Sequence, residues 1–243
     1  MKTTTRTLIS VAAISLVTTT LVLAQGRGRG AAPANARTSA PVDLTGYWIA
    51  VVSEDWRHRM ATPKKGDYES LPLNMAGTQA ANAWDLAKDD AAGLQCKAFG
   101  VGGIVRQPGL IHITWQDDNT LRVEADTGQQ TRLFQFGPAT ASTARTWQGS
   151  SKATWDRLGR SLTVVTTNMR AGYLRRNGVP YSEDASSTEY FDVAPHPGGG
   201  QMLIVTTVVE DPRYLQRSFV VSSQFKKEPD GSKWNPTPCT ATW

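Results

Sequence analysis

Three histidines and two cysteines are the only imidazole and thiol metal ligands in this 243-residue chain. His58, His112 and His196 lie far apart in sequence, with no pair at the short spacing of a zinc motif. No metal site is therefore expected. A Gly-x-Ser-x-Gly elbow is missing, and Ser150 and Ser151 beside Lys152 lack the Ser-x-x-Lys spacing of serine acyltransferases. The glycines of "FGVGGIV" are not followed by a helix that could hold phosphate, so no nucleotide loop is read there. No cofactor is expected. Acidic residues are absent before Asp43, and no apolar run after residue 24 is long enough to cross a bilayer.

The first 24 residues read as a signal peptide. Lys2 and Arg6 precede an apolar stretch from Leu8 to Leu23, and Val22 and Ala24 supply the small residues for cleavage before Gln25. Residues 25–40 are rich in Gly, Ala and Arg and read as a flexible tail. Five of the 26 basic residues (Lys2, Arg6, Arg27, Arg29, Arg37) fall in these segments. From Pro41 onward, 21 basic residues face 21 acidic ones. A neutral folded region gives no electrostatic reason to expect nucleic acid. The expected location is the periplasm or the medium. In such an oxidising compartment the even pair Cys96 and Cys239 predicts a disulfide, the alternative being two separate thiols.

Residues 41–243 read as one domain. β-Branched and apolar runs occur at 44–52, 110–115, 120–125, 131–136, 161–167, 186–192, 202–209 and 217–226, with weaker ones near 102–107 and 144–149. Turn signals separate them, and most gaps are too short for parallel crossovers. The pattern predicts a mainly β fold, a single antiparallel up-and-down β-barrel of about 8–10 strands. "NMAGTQAANAWDLAKDDAA" predicts one covering helix near 75–92, capped by Asn74.

Gly46-Tyr47-Trp48 opens the first strand and resembles the Gly-x-Trp signature of lipocalins and the wider calycin barrels. The resemblance implies that Trp48 plugs one barrel end beside an arginine of a late strand, for which Arg217 is the best match. A longer stretch, "TWDRLGRSLTVVTTNMRAGYLRRNGVPYSEDASSTEYFD" with "VVEDPRYLQRSFVVSSQFKKEPDGSKWNP", is similar to a large group of exported bacterial proteins. It implies a shared fold and export and carries no activity.

Site candidates follow from "LTGYWIAVVSEDWRHRM". A regular strand would bring Trp56 and His58 to the Trp48 side at the far mouth of the barrel, with Asp55 opposite. A solvated strand end is the alternative. Around "RRNGVPYSEDASSTEYF" an Asn177-Gly178 turn gathers Tyr173, Arg175, Arg176, Tyr181, Glu183 and Asp184 on one connection, to be read as mouth loop or plain ordered turn. His112 and Thr114 share a face of the strand 110–115, interior or exterior. Candidate catalytic groups are therefore His58, Tyr181, Glu183 and Asp55, and candidate ligand contacts are Trp56, His112, Thr114, Tyr173 and Arg175.

Three functions fit. The first is binding of a small apolar or aromatic molecule in the barrel. The second is a cofactor-independent lyase, isomerase, cyclase or dehydratase, with Asp55 or Glu183 orienting His58 and Tyr181 donating a proton. The third is an envelope interaction protein using strand edges or the Arg-rich tail. Oligomeric state is not readable from the sequence.

Overall fold

The computed structural model describes residues 35–137 and 144–241. The expected signal peptide and residues 25–34 of the expected tail lie outside the described residues, whereas residues 35–40 are described and pack on the barrel, the Trp155 indole donating to Ala36 O at 2.9 Å. β1 (Gly46–Val51) is followed by a long connection, then by β2 (Leu110–Asp117), β3 (Thr120–Ala125), β4 (Gln130–Phe136), β5 (Ser150–Asp156) and β6 (Ser161–Thr167). A hairpin of β7 (Gly172–Arg175) and β8 (Val179–Tyr181) precedes β9 (Ser186–Pro195), β10 (Gln201–Glu210) and β11 (Phe219–Glu228).

Nine of these strands close a barrel in the order β1-β11-β10-β9-β6-β5-β4-β3-β2. The barrel is not wholly antiparallel, as the sequence had suggested. β4 and β5 run parallel, with Phe134 opposite Ser151 and Phe136 opposite Ala153. The physical reason is parity. Antiparallel neighbours alternate in direction, so a ring with an odd number of strands must contain a parallel pair. The weak run at 144–149 is part of the connection that returns the chain to restart β5 in the direction of β4. The weak run at 102–107 holds a single 3₁₀ turn, Ile104–Arg106.

Strand alternation sorts the side chains. Ile111 and Ile113 face inward, whereas His112 stacks outside on Tyr47, with ring centroids 3.9 Å apart. Toward the end where β1 begins, the interior is filled by Trp48, Phe225, Leu203, Phe191 and Leu162, all essentially buried. Trp48 donates its indole N–H to Leu44 O at 2.9 Å and lies under Lys227, whose Nζ is 5.0 Å from its ring. Arg217 is not its cation. It is exposed before the start of β11, whereas register sets Trp48 opposite Lys227 near the other end of that strand.

The opposite end, where β1 finishes and β2 begins, has a cap made by residues 52–109 and the β7–β8 hairpin. The cap contains α1 (Trp56–Arg59), α2 (Met75–Asn82) and α3 (Leu86–Ala91). The single helix expected near 75–92 is therefore two. Asn74 caps α2 as expected, accepting from Gly77 N at 2.8 Å. Asp85 is extended and caps α3 by accepting from Ala87 N and Lys88 N, so a second helix starts where one continuous helix would need helical backbone. The Cys96–Cys239 disulfide ties the C-terminal segment to this cap, closing a sequence separation of 143 residues. A loop of that length contributes about 4–5 kcal/mol on the chain-entropy account.

Candidate functional site

Residues 54–59 do not continue β1. The strand ends at Val51, and Asp55 takes a left-handed conformation with φ 51°. The Asp55 carbonyl accepts the His58 and Arg59 amides at 3.0 and 3.1 Å, forming the single helical turn α1. The alternation that would have put His58 on the Trp48 side is thereby broken. Trp56 is 64% exposed on this turn, with no place in a barrel lining.

The turn delivers a tight polar pair. Asp55 Oδ1 lies 2.6 Å from His58 Nδ1. A carboxylate only accepts, so Nδ1 carries the hydrogen and Nε2 is turned toward Asp67, 3.5 Å away. Asp55 Oδ2 accepts from Arg106 and lies 3.8 Å from Arg175. Burial alone would raise the Asp55 pKa, but the His58 hydrogen bond and the Arg106 charge hold it below the usual carboxylate range.

The β7–β8 hairpin brings Arg175 and Arg176 to the same place. Their turn depends on Gly178, at φ 83°, where a Cβ would sit 2.1 Å from Trp84 Cγ. Arg175 donates to Asp67 O at 3.3 Å and Glu69 O at 3.1 Å, and the buried Asn177 amide donates to Lys64 O and Asp67 O. These bonds fix the 64–69 loop that carries Asp67. Arg176 donates to Gln107 Oε1 at 2.9 Å and lies over the Phe99 ring. Arg59 donates from Nε to Arg106 O at 2.9 Å.

The result is a small pocket of about 20 Å³ lined by His58, Arg59, Arg106, Gln107, Leu174, Arg175 and Arg176. All four arginines are buried. Burial pulls the guanidinium pKa values of Arg59 and Arg175 down, and the charge of Arg106 adds to both shifts. Burial alone brings Arg176 to about 10. Opposing the four arginines are Asp55, Asp67 and Glu54, the last 3.6 Å from Arg59 Nη1.

Of the sequence-derived candidates, Asp55, His58 and Arg175 meet here. Among the described residues, no hydrogen bond or ion pair joins Tyr181 or Glu183 to His58. Tyr181 is fully buried in the cap core, close against Gly100, where a Cβ would come within 2.1 Å of its hydroxyl. Burial pushes its phenol pKa up, opposed by the charge of Arg132. Glu183 is exposed, 3.6 Å from Arg145. Tyr173 donates its hydroxyl to Asp89 at 2.6 Å, in a separate group with Lys97. Burial and Asp89 hold its pKa above the ordinary phenol value. His112 and Thr114 lie on the outer face of β2.

Sequence reasoning passes over Arg106, and it meets Arg59 and Arg176 in the two polar stretches without marking them as site residues. Arg59 and Arg106 stood in what read as strand ends, where an arginine is normally solvated. Among the described residues, no group of three or more His, Cys, Asp or Glu side chains is placed to hold a metal ion. Comparison of the chain with models of known protein families, with curated proteins and with solved structures finds no match.

Proposed function

We propose that this is an exported barrel protein that binds a small molecule through the cap pocket. The observation that carries the reading is the convergence of His58 and four buried arginines from α1, the 3₁₀ turn and the β7–β8 hairpin on one pocket. Buried cations are costly to assemble, and such clusters concentrate where a ligand or reaction uses them. The lower half of the barrel is occupied by its own aromatic and branched side chains, so the reading moves from an apolar ligand in the interior to a polar one at the cap. Export is supported by the N-terminal pattern and by the Cys96–Cys239 bridge. A calycin kinship is part of the same reading, supported by Gly46-Tyr47-Trp48 and the closed ring. That ring has no open strand edge, so the interaction-protein alternative rests on the tail, of which residues 25–34 lie outside the described residues.

The Asp55–His58 pair favours a second reading, acid–base catalysis at the same pocket. Asp55 orients the ring and stabilises an imidazolium, leaving Nε2 to take a proton from a bound molecule. A metabolite screen by thermal shift, followed by mass analysis of each ligand that binds, separates the two. Binding without conversion supports the binding protein. Conversion that is lost in His58→Gln supports the enzyme. Ligands whose binding survives Arg175→Gln and His58→Gln unchanged would remove both readings.

A further inference from the structure

Resting on that reading, we propose that the group held in the cap pocket is an oxyanion, a carboxylate or phosphate head. The argument begins with donors that the protein leaves without acceptors. Arg59 is 2% exposed, yet neither Nη1 nor Nη2 makes a hydrogen bond, and Nε of Arg175 has none either. Nε2 of His58 is also buried without a hydrogen bond, 3.5 Å from Asp67, and becomes a further donor only when the ring is protonated. These atoms belong to residues that line one pocket. Unpaired buried donors of positive charge are costly, and an acceptor of negative charge removes that cost. The planar fork of a guanidinium matches the two oxygens of such a head.

The carboxylates already present do not supply it. Asp55 is engaged by His58 and Arg106, and Asp67 by Arg57 at 2.7 Å. Glu54 is the internal competitor. Its oxygens are buried without hydrogen bonds, and it stands 3.6 Å from Arg59, close enough to feel the charge and too far to bond it. The charge of Arg106 opposes those of Arg59 and Arg175 and, after burial, helps to lower the pKa values of those two. An incoming anion relieves that repulsion; a cation or a neutral apolar group does not. At about 20 Å³ the pocket takes a head and no more, so the rest of the ligand lies outside it. The larger cleft of about 440 Å³ at the other end of the barrel, lined by Arg37, Asp43, Trp115 and Arg160, has no such buried unpaired donors.

The test uses inorganic phosphate and acetate as probes, titrated into purified protein at constant ionic strength with chloride as reference. The readout is the imidazole NMR signals, which for three histidines are few enough to assign. Saturable movement of the His58 signals by phosphate or acetate, beyond chloride, is expected, and the stronger probe identifies the head. Arg59→Gln should weaken that binding about tenfold to a hundredfold, the loss of hydrogen bonds to a charged group. Arg59→Lys, safer for folding, should weaken it less. Glu54→Gln should tighten it several-fold by removing the competitor. His58 signals that ignore both probes but respond to a neutral ligand from the metabolite screen overturn the oxyanion and leave the pocket's function standing. Signals that respond to no ligand that binds overturn both.

Discussion

Two sets of buried charge lie in this molecule, and they are arranged on opposite principles. Inside the barrel, Arg132 of β4 meets Glu189 of β9 through both guanidinium nitrogens, with Nη1 to Oε1 at 2.9 Å, and Thr166 and Ser151 extend the network. One cation faces one anion, and both are almost fully enclosed. In the cap, four buried arginines face partly exposed carboxylates, of which Asp55 pairs with Arg106 and Asp67 with the exposed Arg57. The first set balances its charge within itself, although Nε of Arg132 is left without a hydrogen bond. The second has unbalanced charge, with both terminal nitrogens of Arg59 and Nε of Arg175 left over. Balanced charge in a core specifies structure, while unbalanced charge at a pocket waits for a partner.

The largest expected effect tests the closed set. Glu189→Ala strands Arg132 in the interior and should cost about 3–5 kcal/mol, read by urea unfolding. The double change Arg132→Met with Glu189→Leu should restore most of that, because an apolar pair of similar size removes both desolvation costs. A cap arginine should behave differently. Arg59→Met relieves repulsion from Arg106 while removing one hydrogen bond, so stability should move by less than about 1 kcal/mol. If Arg59→Met cost as much as Glu189→Ala, the two sets would be alike and the cap cluster merely structural.

How much of this was legible in the sequence follows from the same contrast. The barrel strands other than β5, the disulfide and the nearness of Asp55 to His58 could be read, since turn signals, cysteine parity and sequence adjacency are local; β5 and the short β7–β8 hairpin could not. The parallel pair could not, because it depends on how many strands close the ring. The α1 turn was hidden by a backbone event at one residue, the left-handed Asp55, which sequence alternation does not register. The interior pair had left a signal. In "TRLFQF", Arg132 shares a face with Phe134 and Phe136, and in "SSTEYF", Glu189 shares one with Ser187 and Phe191. Opposite charges in phase with buried aromatics on two strands mark an interior pair. The cap arginines had no such period, and only the folded connection brings them together.

A smaller effect concerns pH. Asp55 has a folded pKa below its ordinary value, so its contribution is complete above the unfolded carboxylate value of about 3.9 and is lost as pH falls through the folded one. Asp55→Asn should destabilise by about 2 kcal/mol near neutral pH, as charged hydrogen bonds to Arg106 and His58 are lost. The two unfolding curves should draw together on acidification below pH 4 or so. A constant gap down to strongly acid pH would show that the carboxylate charge does not matter at that position.

The smallest effect is the most direct on whether the two regions are separate. Tyr181 packs in the cap core, feels the charge of Arg132 below it, and buries a hydroxyl with no protein partner. Removing an unpaired buried hydroxyl without changing the ring's shape should be neutral or stabilise by up to about 1 kcal/mol. Tyr181→Phe should therefore leave oxyanion binding at His58 unchanged while thermal stability holds or rises slightly. Should the phosphate or acetate response at His58 fall instead, the Tyr181 hydroxyl would belong to the ligand site. The cap cluster and the Arg132–Glu189 layer would then be two ends of one polar channel, and the distinction between a closed set and an open one would no longer hold.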